Sequence, residues 1–164
     1  MTGHSDEHWM RKAIELARTK GSDPSCTPIA AIIVLEDQIL GASVNETAQR
    51  NDATAHAEIL AIRAAGAKLE DMELRDATLY STLQPCGMCT MGSIWSKIAR
   101  IVYGAGRADV HKMYFEDRHL DTADFIRDAF RDDLEITGGI LSEECARLYY
   151  GPDDDVPEAR QGNI

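Results

Sequence analysis

Two short segments carry side chains that can perform metal-assisted chemistry. The first reads His56-Ala-Glu58, and the second reads Cys86-Gly-Met-Cys89. Imidazole and thiolate are usual zinc ligands. Three protein ligands leave one position on the ion open, which is typical of catalytic rather than structural zinc sites. A water molecule bound at that position loses a proton near neutral pH and becomes a nucleophile. We therefore predict that His56, Cys86 and Cys89 bind Zn²⁺. The carboxylate of Glu58 need not bind the metal and is predicted to carry protons.

The two cysteines are predicted to lie at the start of a helix. Residues three apart share a helix face. Pro85 directly precedes Cys86, and proline is tolerated just before a helix or in its first turn. The helix dipole there favours the thiolate form of cysteine. We therefore expect the sulfur atoms of Cys86 and Cys89 to face one ion.

His56 and Glu58 can reach the same ion only from a second helix N-terminus. Residues two apart point in different directions on a regular helix, so this pair must lie in a first turn. Thr54 and Asp52, just upstream, are candidate N-caps for this helix. Ala57 is small enough to let a substrate approach the backbone, and we predict that it contributes to substrate binding. Two helix N-termini are thus expected to point at one metal.

Each motif alone also has a simpler explanation. His-Ala-Glu is common in alanine-rich helices, and Cys-x-x-Cys can be a redox pair or half of a structural zinc site. Cys26 and Cys145 are isolated in the sequence, so no second Cys-x-x-Cys completes a structural site. A redox pair would not explain the histidine and glutamate. The two motifs together therefore favour catalytic zinc.

Length and composition indicate one domain. A chain of 164 residues can bury a sizeable core. We predict a domain over residues 1–150 and an irregular tail over residues 151–164, which contains three consecutive aspartates and two prolines. The N-terminus lacks a signal-peptide pattern, and no apolar run is long enough to span a membrane. Free cysteines that must act as thiolates favour the reducing cytoplasm.

The charge of the chain disfavours a nucleic-acid partner. The net charge is −11 and the isoelectric point is about 4.8. Proteins bind nucleic acid largely through Lys and Arg side chains that displace counterions from phosphates. A basic stripe can survive on an acidic protein. We nevertheless expect a small-molecule substrate and no nucleic acid.

Apolar periodicity predicts helices and strands in the order α-β-β-α-β-α-β-α-β-α. The predicted helices lie near residues 9–21, 54–68, 86–97 and 122–130 and after Ser142, a candidate N-cap. The predicted strands are residues 28–35, 38–44, 77–83, 100–104 and 134–137, with a hairpin turn at residues 36–37. This order predicts an α/β fold of three layers, α/β/α, in which a five-stranded mixed sheet is covered by helices on both faces.

Two stretches, residues 51–63 and 77–89, resemble the cytidine deaminase superfamily. They are most similar to the branch that contains tRNA adenosine deaminases, guanine deaminases and fungal cytosine deaminase, and the resemblance extends from the first helix to Tyr150. It implies the same three zinc ligands, with Glu58 moving protons from water to the substrate ring and the leaving amine. It also implies that Asn45 hydrogen-bonds the base, that residues 1–150 are a zinc-dependent deaminase domain with the three-layer cytidine-deaminase-like fold, and that the protein is a homodimer.

Other positions point to different members of that branch. At Trp95 the chain resembles guanine deaminases, which have tryptophan there, whereas tRNA adenosine deaminases usually have histidine. We predict that Trp95 contacts the substrate, and core packing on the helix of the two cysteines is the alternative. Residues 108–117 resemble the guanine deaminase loop, which implies that Asp109 transfers protons and that Phe115 contacts substrate. Tyr114 departs from that loop, where glycine is usual, and the lysine- and glycine-rich loop of tRNA adenosine deaminases is absent.

Two scaffold segments resemble other members. Residues 133–148 are similar to the end of tRNA adenosine deaminases, and residues 85–90 are similar to fungal cytosine deaminase. We predict a zinc hydrolase that releases ammonia from a free nucleobase, nucleoside or related heterocycle, with guanine or another purine as the preferred substrate. The alternatives are a tRNA-specific adenosine deaminase, a cytosine deaminase, and a non-catalytic zinc-binding or RNA-binding module. Glu58 argues against the last of these, because a structural site does not need it.

Overall fold

The computed structural model describes residues 3–115 and 119–158. The strands are β1 (Ala30–Leu35), β2 (Gln38–Val44), β3 (Thr78–Leu83), β4 (Arg100–Ala105) and β5 (Glu135–Thr137). The helices are α1 (Asp6–Arg18), α2 (Thr47–Arg50), α3 (Ala57–Leu69), α4 (Gly87–Trp95), α5 (Thr122–Asp128) and α6 (Ser142–Ala146). Short 3₁₀ helices lie at Pro24–Cys26, Arg107–Asp109 and Lys112–Tyr114.

The strands form one mixed sheet in the order β2-β1-β3-β4-β5. Strand β1 is antiparallel to both β2 and β3, whereas β3, β4 and β5 are parallel. The predicted hairpin turn is confirmed, because Glu36 and Asp37 both have positive φ, 48° and 61°, as a two-residue hairpin requires. Strands β3 and β4 therefore end at the same edge of the sheet.

Helices cover both faces of the sheet. Successive side chains on a strand point to opposite faces. On β3, the hydroxyl of Tyr80 donates to Asp6 of α1, whereas the hydroxyl of the next residue, Ser81, donates to Glu58 of α3. Every residue of β1 from Ala30 to Val34 is buried, as expected for a strand covered on both sides. The predicted α/β fold with a five-stranded mixed sheet is confirmed.

The chain differs from the sequence prediction mainly at helix ends. Helix α2 was not predicted. The N-cap of α3 is His56, and the predicted caps are wrong: the carboxylate of Asp52 instead accepts hydrogen bonds from the backbone and hydroxyl of Thr54 in a local turn. The N-cap of α6 is Leu141, with φ of 54°, and Ser142 is the first residue of the helix.

The predicted division into domain and tail stays a prediction. Val156, within the predicted tail, is 4% exposed and packs with the core. Residues 159–164 lie outside the described part of the chain. Among the described residues, no helix has both the length and the apolar character needed to cross a membrane.

Candidate active site

Two helix N-termini meet beyond the end of β3. His56 is the N-cap of α3 and Cys86 is the N-cap of α4, and neither side chain bonds to the first turn of its own helix. Glu58 and Cys89 lie in the first turns of these helices. Backbone φ and ψ at both residues are in the extended region, as is usual for an N-cap. The predicted convergence of two helix N-termini is confirmed.

His56, Cys86 and Cys89 fit a zinc ion. The Nδ1 atom of His56 lies 3.5 Å from the Sγ atom of Cys89 and 3.7 Å from that of Cys86, and the three ligand atoms all lie within 4.8 Å of one another. Usual zinc–sulfur and zinc–nitrogen bond lengths give nitrogen–sulfur edges of about 3.6 Å in a tetrahedron. The spacing of the three ligand atoms therefore suits one tetrahedral zinc ion.

The two thiols have opposite electrostatic environments before a metal binds. The hydrogen bond from Cys89, followed by that from His56, lowers the pKa of Cys86 to about 4. Burial raises the pKa of Cys89 well above its usual value. Zinc binding must therefore displace the proton of Cys89, so we expect metal affinity to fall as the pH falls.

Glu58 lies beside the ligand set and is itself buried, with 4% of its surface exposed. Its Oε1 atom accepts from the hydroxyl of Ser81 at 3.1 Å, and its Oε2 atom accepts from the thiol of Cys89 at 3.4 Å. Burial raises the pKa of this carboxyl group. A carboxyl group with a raised pKa is suited to take up and release protons near neutral pH.

A cavity opens between these groups and the loop after β4. Its walls are Ile29, Asn45, His56, Glu58, Leu83, Gln84, Cys86, Tyr114 and Phe115. Asn45 is 3% exposed, and its Oδ1 atom finds no hydrogen-bond partner among the described residues. A buried acceptor without a partner costs about 1–3 kcal/mol. The orphaned atom is therefore suited to accept a hydrogen bond from a substrate, in agreement with the role expected for Asn45.

Aromatic side chains form another wall of the cavity. The hydroxyl of Tyr114 accepts from the backbone N–H of Tyr150 at 3.1 Å, and its ring lies edge-on to Tyr149 with 5.4 Å between centroids. The ring of Phe115 lies beneath the guanidinium of Arg107 at 5.4 Å. Phe115 thus reaches the cavity, as expected, and Tyr114 adds a ring where the resemblance implied glycine.

Three residues predicted to belong to the site do not line the cavity. Trp95 is 75% exposed at the C-terminal end of α4, and nine residues of helix separate it from Cys86 by about 13 Å. Core packing does not explain Trp95 either, because most of its surface is exposed. The carboxylate of Asp109 is exposed and accepts from the backbone of Gly106 at 2.8 Å, so it caps a turn. Ala57 is fully buried at the start of α3.

Sequence reasoning missed Ser81, Gln84 and the position of Tyr114. Gln84 is buried, and its Oε1 atom accepts from the backbone N–H of Arg107 at 3.1 Å. Polar residues within a buried apolar strand need hydrogen-bond partners. Ser81, within the apolar β3 pattern, and Gln84, directly after it, are therefore signals that could have drawn attention to both residues.

Comparison with known proteins identifies the family. Residues 4–105 match the zinc-binding region of cytidine and deoxycytidylate deaminases. The chain is 36% identical over 148 residues to a tRNA-specific adenosine deaminase of Buchnera aphidicola, covering 90% of this chain and 93% of the relative. The chain therefore belongs to the cytidine and deoxycytidylate deaminase family and is a zinc-dependent hydrolytic deaminase.

Two solved structures resemble the fold. One comes from a study of A-to-I editing by tRNA:A34 deaminases, with a TM-score of 0.71 and 32% identity over 86% of this chain and 98% of that chain. The other is guanine deaminase from Nitrosomonas europaea, with a TM-score of 0.74 and 25% identity over 90% of this chain and 85% of that chain. Both structural neighbours belong to the branch that the motifs indicated.

These findings correct two expectations. The expected free-nucleobase substrate is wrong, because the relatives that match most of the chain are named tRNA-specific adenosine deaminases. The expectation that nucleic acid is not a partner is wrong for the same reason. Net charge was a poor basis for excluding a nucleic-acid partner, because it sums over all residues, whereas binding to nucleic acid depends on the charge of the local surface. Trp95 was a poor guide to the substrate, because it is exposed and does not line the cavity.

Proposed function

We propose that this protein deaminates adenosine in tRNA, giving inosine and ammonia. The observation that carries this proposal is the near full-length similarity to tRNA-specific adenosine deaminases, in which both chains are covered almost completely. The catalytic geometry supports it, because a three-ligand zinc site beside a buried glutamate suits hydrolysis at C6 of adenine.

The reaction consumes one water and releases one ammonia. Zinc held by His56, Cys86 and Cys89 would supply water with a lowered pKa. Glu58 is placed to accept a proton from the attacking water and to deliver it to the purine ring nitrogen as the oxygen adds to C6. Glu58 then takes the second proton from the hydroxyl group now on C6 and passes it to the amino nitrogen, so that the C6–N bond breaks, ammonia leaves and the carbonyl of inosine forms. The raised pKa of Glu58 supports this role, because both proton transfers need a group that readily changes its protonation state.

Asn45, Tyr114 and Phe115 are the cavity residues that we propose hold the base. Asn45 offers a buried, unpaired acceptor to an N–H group of the nucleotide. Tyr114 and Phe115 offer apolar ring surfaces, and stacking of a base on an aromatic side chain is worth about 1–3 kcal/mol. A base flipped out of its stem or loop can therefore be held between polar and aromatic walls.

The tRNA must approach a protein that carries a net charge of −11. We therefore expect tRNA affinity to fall steeply with salt, because the cationic contacts must work against overall repulsion. A tRNA substrate and a site that needs reduced thiols both fit the cytoplasm, and we propose that location.

The test uses zinc-loaded protein and a tRNA that carries adenosine in its anticodon loop. We expect inosine in the tRNA, detected by mass spectrometry of nucleosides, and little ammonia from guanine, adenine or cytosine. The Glu58→Ala variant serves as the control for contaminating deaminases. Ammonia release from a free base without inosine in any tRNA would refute the proposal.

A further inference from the structure

Gln84 joins three segments of the chain around the cavity. It follows β3 and precedes Pro85, so its backbone is fixed by the central sheet and by the start of α4. Its side chain is 8% exposed. Such a short link between a strand and a metal-binding helix holds the backbone of Gln84 in a well-defined place.

Both ends of the Gln84 amide contact protein. Its Oε1 atom accepts from the backbone N–H of Arg107 at 3.1 Å, and its Nε2 atom lies 3.5 Å from the hydroxyl of Thr122, the first residue of α5. Thr122 is itself buried and donates to the carbonyl of Pro85 at 2.9 Å. Because its acceptor and donor groups both face protein, Gln84 is better placed to hold neighbouring segments than to bind substrate.

The segment held by Gln84 carries the aromatic wall. Residues 107–115 form two short 3₁₀ helices and end at Tyr114 and Phe115, which line the cavity. Arg107 also lies over the ring of Phe115. The bond from the backbone N–H of Arg107 to Gln84 therefore holds the beginning of the segment, and the guanidinium that covers Phe115 donates separately to the carbonyl of Leu120 at 3.2 Å.

The far end of the segment has its own anchor. The backbone N–H of His111 donates to the carbonyl of Tyr150 at 2.8 Å, and the N–H of Tyr150 donates to the hydroxyl of Tyr114 at 3.1 Å. The segment is thus attached to the fold at both ends. At its first residue, the backbone N–H of Arg107 donates to the side chain of Gln84.

We propose that Gln84 is a positioning residue that fixes the 107–115 segment and thereby the aromatic wall that receives the substrate base. It acts through the backbone of Arg107 and not by touching the substrate. The inference rests on the proposed function only for the identity of the base. A misplaced wall weakens binding of the substrate and its transition state together, so the expected signature is a raised KM with little change in kcat.

The test compares two near-isosteric variants. Gln84→Met removes the hydrogen-bonding atoms and keeps the length of the side chain, whereas Gln84→Glu keeps the acceptor for Arg107. In zinc-loaded full-length protein, we expect the backbone amide of Arg107 to exchange its hydrogen about fivefold to tenfold faster in Gln84→Met, as for loss of one hydrogen bond. We expect wild-type exchange in Gln84→Glu. Gln49→Met, at an exposed glutamine, is the matched control.

Kinetics with tRNA provide the second measurement. Gln84→Met should raise KM about fivefold or more with kcat within about threefold and zinc content unchanged, and Gln84→Glu should restore KM. Unchanged exchange at Arg107 in Gln84→Met would overturn the inference. Faster exchange with unchanged KM would also overturn it, as would a Gln84→Glu variant that behaves like Gln84→Met.

A variant that fails to fold and a wild-type protein without activity on tRNA each leave a measurement that tests the role of Gln84. If Gln84→Met does not fold, Gln84→Asn decides through the same measurements, because its shorter side chain withdraws the acceptor by one methylene group. If wild-type protein makes no inosine, that result counts against the proposed function alone. Amide exchange at Arg107 needs no substrate, so it still decides whether Gln84 holds the segment.

Discussion

The metal centre and the aromatic wall face the same cavity but are built in different ways. The metal centre consists of side chains at the first turns of α3 and α4, whose positions follow from local helix geometry. The wall consists of Tyr114, whose hydroxyl accepts from the backbone of the distant Tyr150, and Phe115; both end a segment whose first residue, Arg107, donates to Gln84, 23 residues earlier. The chemistry of the site is therefore encoded in short motifs, whereas the shape of its substrate cavity depends on long-range contacts.

The largest effect is expected when one zinc ligand is removed from the metal centre. We expect Cys86→Ala to lose bound zinc and all measurable deamination together, because only two protein ligands remain. Zinc per chain is measured by atomic emission beside an activity assay. Cys26→Ser should retain about one zinc per chain and full activity, because Cys26 is exposed and lies outside the ligand set. Full zinc content in Cys86→Ala would show that the ligand assignment is wrong.

Glu58 separates metal binding from proton transfer. We expect Glu58→Ala to keep its zinc and lose activity by about 10²–10⁴-fold, with the upper end favoured because Glu58 serves more than one proton transfer. Single-turnover inosine formation and zinc content are the two measurements. Activity within tenfold of wild type would contradict the proposed mechanism.

The sequence predicts features that depend on local motifs better than features that depend on long-range contacts. His56, Cys86 and Cys89 could be identified because ligand type and spacing are local properties. The contact between Gln84 and Arg107 could not, because it joins positions 23 residues apart through a loop without regular periodicity. Trp95 could not be assigned, since the exposure of a helix face depends on which elements pack against it.

The fold shows the same contrast. The hairpin and the sheet strands were predicted from apolar runs and one turn, whereas the N-caps of α3 and α6 were not. Asp52 was predicted as a cap because its side chain suits that position, yet it bonds Thr54 locally. His56 takes the cap position because the metal site needs its side chain there, a requirement that cap preferences do not contain.

The aromatic wall is tested by comparing two aromatic residues. Phe115 is 7% exposed in the cavity, whereas Trp95 is 75% exposed and remote. We expect Phe115→Ala to lower kcat/KM on tRNA by about 5- to 150-fold, the equivalent of about 1–3 kcal/mol of stacking. Trp95→Ala should change kcat/KM by less than about threefold. A larger effect at Trp95 than at Phe115 would reverse the assignment of the substrate wall.

The smallest expected effect concerns a cluster away from the site, where Asp6 of α1 binds Arg100 of β4 through two contacts of 2.6 Å and accepts from Tyr80. The hydrogen bonds from Arg100 lower the pKa of Asp6 below its usual 3.8. The ionised form of Asp6 is therefore favoured by folding, so its contribution to the free energy of unfolding is present above pH 4 and is lost as the pH falls through the lowered pKa.

We expect Asp6→Asn to reduce the free energy of unfolding by about 1–3 kcal/mol at pH 7. Urea unfolding of both proteins at several pH values measures the difference, which should shrink as the pH falls below about 4, because the unfolded protein then binds a proton at Asp6 that the folded protein binds only at lower pH. A difference that stays constant down to pH 3 would show that packing, and not the ion pair, accounts for the loss.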